Sequence, residues 1–174
     1  MTPGSQLREP GQATLTIHAL SVANGSLALC RMPGETGHYR ADLQDINDWK
    51  PGLVLSMTTG AEQEAVGALT LGADIQSMAS RWFHLPVPRC GIPPSNVLFK
   101  WPKASHAARK ALVGGGRVLV HAGCGSGRAG MAVLRLMIEV GEPPHAALNR
   151  LRSLDPLAVE TDEQLAWAIS ARRV

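Results

Sequence analysis

The chain has 174 residues, of which 45% are hydrophobic and 18% are charged, and its formal net charge at pH 7 is +3. This length suits one domain that buries about two-thirds of its extended surface, and the composition excludes wholesale disorder. The small basic excess includes isolated arginines rather than a long basic block, which fits anionic ligands and argues against a nucleic-acid-binding role.

The sequence holds three cysteines, Cys30, Cys90 and Cys124, and none of them forms a C-x-x-C pair. An odd count without that spacing argues against a disulfide framework and a structural zinc site, so we expect no metal and no cofactor. No apolar stretch is typical of a secretory signal or approaches the roughly 18 residues that span a bilayer. We therefore expect a cytoplasmic protein without membrane contacts, and the sequence indicates no particular oligomeric state.

Hydrophobic periodicity and turn residues divide the first half of the chain into short elements. We expect a flexible tail over residues 1–12 and a single domain over residues 13–174. The patterns predict, in order, a two-stranded hairpin over 15–20 and 26–31, a helix over 39–49, a strand over 53–57, a helix from the capping box Thr59–Glu62 to about residue 69, and a short helix over 73–80.

The second half continues the alternation of strands with helices. A strand over 81–85 leads into a proline-rich loop over 86–94, which can be neither helix nor central strand. The patterns then predict a helix over 95–112 that Pro102 kinks or splits, a strand over 118–121, a buried helix over 129–140, a helix over 144–154, and a last helix capped by Thr161 and Gln164. This order predicts an α/β three-layer sandwich in which helices flank a central, mainly parallel sheet.

A glycine-rich loop follows the strand that ends near His121, and residues 121–130 read HAGCGSGRAG. Its glycines let successive N–H groups converge on one point, and the following helix adds the positive end of its dipole there. Arg128 can hold two oxygens of a phosphoryl group with its planar guanidinium. The loop therefore predicts a phosphate site formed by Gly123, Cys124, Gly125, Ser126, Gly127 and Arg128.

The same glycines allow two other interpretations. A glycine cluster between a strand and a helix can serve only a tight turn. Gly125, Gly127 and Gly130 also match the G-x-G-x-x-G pattern of dinucleotide-binding modules. That pattern requires a second strand after the helix and an acidic residue about 20 positions on. Here a proline pair and another helix follow, which disfavours a nucleotide-binding module.

With His121 before it and Arg128 at its end, the loop resembles the signature His-Cys-x-x-Gly-x-x-Arg-Ser/Thr-Gly of the cysteine-dependent protein tyrosine and dual-specificity phosphatases. Residues 82–88 resemble the strand and acid loop of the small dual-specificity branch, close to the cyclin-dependent kinase inhibitor 3 type, and residues 56–59 match the segment that precedes it there. The resemblance covers roughly residues 26–170. It implies the phosphatase fold and, as partner, a phosphorylated protein or a small phosphomonoester.

The resemblance also implies a reaction for which this sequence lacks three groups. In the family a cysteine thiolate attacks phosphorus, an aspartic acid protonates the leaving oxygen, and the cysteinyl-phosphate is then hydrolysed. Here the nucleophile position holds Ala122, the hydroxyl position after the loop arginine holds Ala129, and the acid-loop position holds Arg89. General acid–base help alone is worth about 10²–10⁴-fold in rate. We therefore expect phosphate binding without appreciable turnover.

Alternatives remain for the origin of Ala122 and for the role of Cys124. Ala122 is either a natural loss, as in a pseudophosphatase, or an engineered replacement in an active parent enzyme; three changed positions favour the natural loss. Cys124 is the other candidate nucleophile, yet it lies inside the curl of the loop, where its side chain should point away from phosphorus. An approach of Cys124 to Cys90 on the covering loop is a further hypothesis.

Two further residues take their roles from the resemblance. In the family the histidine at the position of His121 orients the loop through hydrogen bonds, and a buried core histidine would behave in nearly the same way. Gln164 stands where the family carries the glutamine that positions water, although the capping box with Thr161 already explains this residue.

Overall fold

The computed structural model describes residues 15–174, so the tail predicted over residues 1–12 lies outside the described part of the chain. The described part contains five strands: β1 (His18–Val22), β2 (Gly25–Arg31), β3 (Leu53–Ser56), β4 (Arg81–His84) and β5 (Arg117–Ala122). Its helices are α1 (Tyr39–Trp49), α2 (Gly60–Ala65), α3 (Leu71–Ser77), α4 (Ser95–Val113), α5 (Gly127–Glu139), α6 (Pro144–Leu154) and α7 (Asp162–Ile169).

The strands form one sheet in the order β1-β2-β5-β3-β4. β1 and β2 make an antiparallel hairpin, whereas β2, β5, β3 and β4 run parallel to one another. Because parallel strands end at the same edge of a sheet, the segments that follow β3, β4 and β5 meet there. The sheet is mainly parallel, as predicted, and the glycine-rich loop leaves its central strand.

Helices cover both faces of this sheet and bury alternate residues of the same strand. Leu27 and Leu29 of β2 pack in one apolar cluster with residues of α4, α5, α6 and α7. Ala28 and Cys30 of β2 pack in a second cluster with residues of α1 and α3. The α/β three-layer sandwich predicted from the order of elements is therefore confirmed.

The predicted elements differ from the structure mainly at their ends. α2 opens with the predicted capping box but stops at Ala65, short of residue 69. Of the two effects predicted for Pro102, a kink or a split of the long helix, the split does not occur, because α4 runs unbroken from Ser95 to Val113. Proline removes one hydrogen bond to the carbonyl four residues earlier, which belongs to Leu98. Leu98 is 45% exposed, so water can reach this side of the helix.

Candidate functional site

Residues 123–126 join the end of β5 to the start of α5. Cys124 and Gly125 have left-handed backbone, with φ of 54° and 103°, which turns the chain sharply back toward the helix. Gly125 also allows a close approach, since a Cβ there would lie 2.7 Å from Oε1 of Glu160. The curl of the loop therefore depends on a glycine at this position.

The loop presents unpaired backbone donors at the N-terminal end of α5. Within residues 15–174, no hydrogen bond joins an acceptor to the amide N–H groups of Gly123, Gly125, Ser126, Gly127 and Arg128. The first N–H groups of a helix lack intrahelical acceptors, and together with the helix dipole they form a site for anions. This arrangement is compatible with a phosphate ligand.

Arg128 is 2% exposed and donates four hydrogen bonds within the protein. Its Nη1 donates to Oε2 of Glu62 and to the carbonyl of Val87, both at 2.8 Å. Its Nη2 donates to Oε1 of Glu62 at 2.6 Å and to the carbonyl of Gly123 at 2.8 Å. These bonds use every hydrogen of the two terminal nitrogens. The planar fork therefore holds a carboxylate of the chain itself, and Nε–H remains as the guanidinium donor for a ligand.

Glu62 is a site residue that the sequence pattern identified only as part of a capping box. Its carboxylate accepts the N–H of Thr59 at 2.7 Å while it pairs with Arg128. Burial alone would raise the pKa of Glu62, but the hydrogen bonds from Arg128 and from the Thr59 backbone outweigh burial and lower the pKa to about 2. Glu62 is therefore ionised at neutral pH and neutralises the loop arginine.

Two further glutamates face the loop. Glu35, on the turn after β2, accepts the amide N–H of Cys124 through Oε1 at 2.7 Å. Glu160, just before α7, lies so close to the loop that Cβ atoms on Gly125 and Gly127 would meet its carboxylate oxygens at 2.7 and 2.9 Å. Together with Glu62, which pairs with Arg128, these residues place three carboxylates around a loop whose N–H donors suit an anion. No local sequence pattern pointed to any of them as site residues.

The acid-loop position carries no acid. Arg89 is exposed, and it lies in a turn that the N–H of Gly91 closes by donating to the carbonyl of Pro88 at 2.8 Å. Cys90 in the same turn has φ 59°, and its Sγ lies 3.6 Å from Oε2 of Glu160. Residues 86–94 contain no Asp or Glu, so this loop has no carboxylic acid with which to protonate a leaving group.

Gln164 is fully buried, and both ends of its amide are engaged. Oε1 accepts the N–H of Glu160 at 2.9 Å, and Nε2 donates to the carbonyl of Gly91 at 3.0 Å. The predicted capping box with Thr161 is present. Gln164 therefore ties the acid loop to the start of α7, and positioning a water would require it to exchange one of these bonds.

His121 is fully buried between neighbouring strands. Its Nε2 shares a hydrogen bond with Oγ of Ser56, which also accepts the Nε1–H of Trp82 at 2.7 Å. Nδ1 has no partner within the described residues. Burial, with the nearby charges of His84 and Arg128, lowers the pKa of His121 to about 3, so the ring is neutral at neutral pH. The ring contacts β3, so any effect on the loop is transmitted through the strands.

Ala122 and Ala129 occupy the nucleophile and hydroxyl positions of the phosphatase pattern. Their side chains are methyl groups, and each residue is 1% exposed. Cys124 is exposed, and its thiol is free, as are the thiols of Cys30 and Cys90. The sulfur of Cys90 contacts Glu160, and it forms no disulfide with Cys124. The base of the loop is therefore apolar, without a nucleophilic atom at the family position.

The structure accounts for Gly130 without a nucleotide. A Cβ at Gly130 would lie 2.7 Å from the backbone nitrogen of Val159, so α5 needs a glycine there to pack against this segment. α5 is followed by α6 and α7 and by no further strand in the described chain. The second strand that a dinucleotide-binding unit requires is therefore missing from residues 15–174.

Residues 15–174 contain neither a metal cluster nor a membrane-spanning helix. No group of three or more His, Cys, Asp and Glu side chains in this range is placed to hold a metal ion. Within the same range, none of the helices combines the length with the apolar character that crossing a lipid bilayer requires.

Comparison with solved structures finds the same architecture in phosphatases. Kinase associated phosphatase, in a form whose catalytic-site cysteine is replaced by serine, matches with a TM-score of 0.78 and 20% identity, over 90% of this chain and 93% of that chain. PTPMT1 in complex with PI(5)P matches with a TM-score of 0.65 and 18% identity, over 87% and 92% of the two chains. Human DUSP28 matches with a TM-score of 0.58 and 16% identity, over 93% and 94%.

No protein-family model matches the sequence, and no curated protein matches it. The structural matches show that the chain has the fold of the protein tyrosine and dual-specificity phosphatases, which is the fold that the sequence resemblance implied.

Proposed function

We propose that this chain is a phosphatase-like protein of the small dual-specificity branch that binds phosphate or a phosphomonoester in the loop over residues 121–130 and does not hydrolyse it. The observation that carries the proposal is the group of unpaired N–H donors of Gly123 and residues 125–128 at the start of α5. The fold and the motif over residues 82–88 support the family and the branch. The ligand is a phosphorylated protein or a small phosphomonoester.

The residues at the catalytic positions argue against turnover. The methyl group of Ala122 has no lone pair with which to attack phosphorus, so a cysteinyl-phosphate cannot form there. Arg89 places a guanidinium where the family has its carboxylic general acid. Backbone donors and the helix dipole remain as electrostatic groups, and these stabilise bound charge without breaking a bond.

One carboxylate competes with a ligand for a loop amide. Glu35 occupies the amide of Cys124, so full use of the loop donors requires that this hydrogen bond opens. Arg128 keeps its fork on Glu62 and contributes Nε–H. The loop amides therefore supply most of the contacts, and the surrounding carboxylates weaken the affinity for a dianion through repulsion.

The redox state of the cysteines indicates the cellular compartment of the protein. Cys30, Cys90 and Cys124 are all free thiols, and free thiols persist in reducing compartments. We propose a cytoplasmic location, which the free thiols support and which the sequence predicts.

Two measurements on this chain and on Ala122→Cys test the proposal: binding of sulfate or vanadate by calorimetry, and hydrolysis of p-nitrophenyl phosphate. We expect anion binding with no turnover, and we expect Gly125→Val to remove the binding because a side chain there collides with Glu160.

Turnover by the chain as written would contradict the proposal that the site is catalytically silent, and it would favour an active phosphatase using Cys124. If Ala122→Cys alone restores turnover despite Arg89, a recently lost or engineered nucleophile becomes the better account. Absence of anion binding would contradict the phosphate site itself.

A further inference from the structure

β4 leaves part of its backbone unpaired at one edge of the sheet. Among residues 15–174 it pairs only with β3. The N–H groups of Arg81 and Leu85 donate toward the β3 side, at 3.0 and 2.8 Å. Because the backbone groups of alternate residues in a strand point to the same side, the N–H and C=O groups of Trp82 and His84 point to the free edge. No backbone hydrogen bond in the described chain satisfies them.

An open groove of about 480 Å³ follows this edge between the end of α3 and the middle of α4. We call it the β4–α4 groove, and its lining includes Gln76, Ala79, Arg81, Trp82, Phe83 and Lys103. The groove straddles the strand, since residues of α3 lie on one face of the sheet and Lys103 of α4 lies on the other. Backbone donors and acceptors therefore lie along a hollow that is open to an extended chain.

The surface around the β4–α4 groove is basic. One side of α4 exposes four side chains spaced three or four residues apart, three of which belong to basic residue types: Phe99, Lys103, His106 and Lys110. α4 contains no Asp or Glu. Within residues 15–174, neither these lysines nor Arg81 forms an ion pair; the guanidinium of Arg81 lies 5.2 Å from the ring centroid of Phe83. These charges are available to an acidic partner.

We propose that the β4–α4 groove binds an extended acidic segment of a partner protein, which adds a strand beside β4. Strand addition gives affinity through main-chain hydrogen bonds and specificity through alternate side chains. Side chains of the added strand on the α4 side meet Arg81 and Lys103 and should be acidic, whereas those on the α3 side meet Trp82 and Ala79 and should be apolar. An acidic–apolar alternation is therefore the recognised pattern.

The shape of the site favours a peptide over the other anionic partners of a basic surface. A lipid surface or a nucleic-acid backbone would use the lysines of α4 but would leave the free N–H and C=O groups of Trp82 and His84 unpaired. A peptide strand satisfies both the charges and the edge. The contact lies outside the glycine-rich loop, so it is independent of whether that loop holds phosphate.

The test uses the full chain and fluorescein-labelled octapeptides, with binding followed by anisotropy. The probe (Glu-Val)₄ should bind, while (Lys-Val)₄ and a (Glu-Val)₄ peptide N-methylated at alternate residues should not. The double variant Arg81→Glu with Lys103→Glu should weaken binding at least tenfold, because charge reversal of a contact pair acts directly on the complex. The matched control Arg40→Glu with Arg172→Glu reverses two exposed charges outside the groove and should bind like the parent.

Hydrogen exchange provides a second measurement, because nonspecific attraction between charges would not protect particular backbone amides of β4. The amides of Trp82 and His84 should become protected when (Glu-Val)₄ is bound. Absence of peptide binding, equal binding of the N-methylated peptide, or unchanged affinity in the Arg81/Lys103 variant would overturn the proposal. Tighter binding to phosphatidylserine vesicles or to an oligothymidylate through the same residues would also overturn it, in favour of a lipid or nucleic-acid surface.

Discussion

At the scale of single residues, the loop arginine is held by the carboxylate of Glu62. Replacing Glu62 by Gln would leave the buried guanidinium of Arg128 without its counter-charge, which we expect to cost roughly 2 kcal/mol of unfolding free energy. Sulfate should raise the melting temperature of this variant more than that of the parent, because the anion replaces the missing charge. Thermal unfolding with and without sulfate measures both effects. The exposed Glu64→Gln is the control, and equal melting temperatures for the two variants would contradict the expectation.

A second prediction concerns the carboxylate that occupies a loop amide. Glu35→Ala frees the N–H of Cys124 and removes one negative charge from the edge of the loop. We expect sulfate to bind about tenfold more tightly, which corresponds to about 1.4 kcal/mol. Calorimetric titration of Glu35→Ala, with Glu64→Ala as the matched control, checks this. An affinity equal to that of the parent would mean that Glu35 does not compete with the ligand.

The sequence could identify some of these residues but not others, for a reason of distance along the chain. Arg128 and its glycines lie in one short segment, so their spacing alone predicted an anion loop. The bond from Cys124 to Glu35 joins residues 89 positions apart, and the bonds from Arg128 to Glu62 join residues 66 positions apart. Such pairs form only once the strands are ordered in the sheet. A capping box also explains Glu62 locally, which concealed its second role.

At the scale of elements, α4 shows a helix continuing through a proline. Tertiary packing outweighs the lost hydrogen bond here, since Val97, Trp101, Ala104 and Ala108 anchor the helix in the main apolar cluster. Sequence periodicity identified the helix, but it could not weigh this packing against the proline. Most other strands and helices were predicted because their apolar residues stand at positions that the fold buries, as in β3 and α5.

Pro102→Ala tests that account of α4. The change restores a donor for the carbonyl of Leu98 and removes the steric conflict of the ring, so we expect stability to rise by about 1 kcal/mol or more. Urea unfolding of the variant and the parent measures it, with Pro86→Ala in the acid loop as a proline control outside helices. A loss of stability in Pro102→Ala would mean that the proline ring packs against something that the helix needs.

At the scale of the whole molecule, acid should weaken the fold through the buried His121 and the half-buried Glu62. The pKa of His121 is 6.5 in an unfolded chain and about 3 in the fold, so its contribution is complete above pH 6.5 and is lost as pH falls toward 3. Glu62 acts in the same direction at lower pH, because its pKa falls from 4.5 to about 2. Between pH 6.5 and 4.5 we expect His121 alone to lower the unfolding free energy by about 2–3 kcal/mol.

Urea unfolding at several pH values, for the parent and for His121→Gln, measures this slope. The glutamine variant begins from a lower stability but should show a much flatter dependence over that range, because glutamine does not titrate. A variant whose slope equals that of the parent would assign the acid sensitivity to other groups.

The methyl group of Ala122 has a consequence for the response of the site to oxidants. Peroxide acts on thiolates and converts them stepwise to sulfenic, sulfinic and sulfonic acids. The base of this loop offers no sulfur, and burial raises the pKa of Cys30, which keeps that thiol protonated and unreactive. Oxidative damage is therefore directed to the exposed thiols of Cys90 and Cys124 at the rim. Peroxide therefore finds no thiolate at the base of the loop, the position at which oxidation would silence a thiolate enzyme.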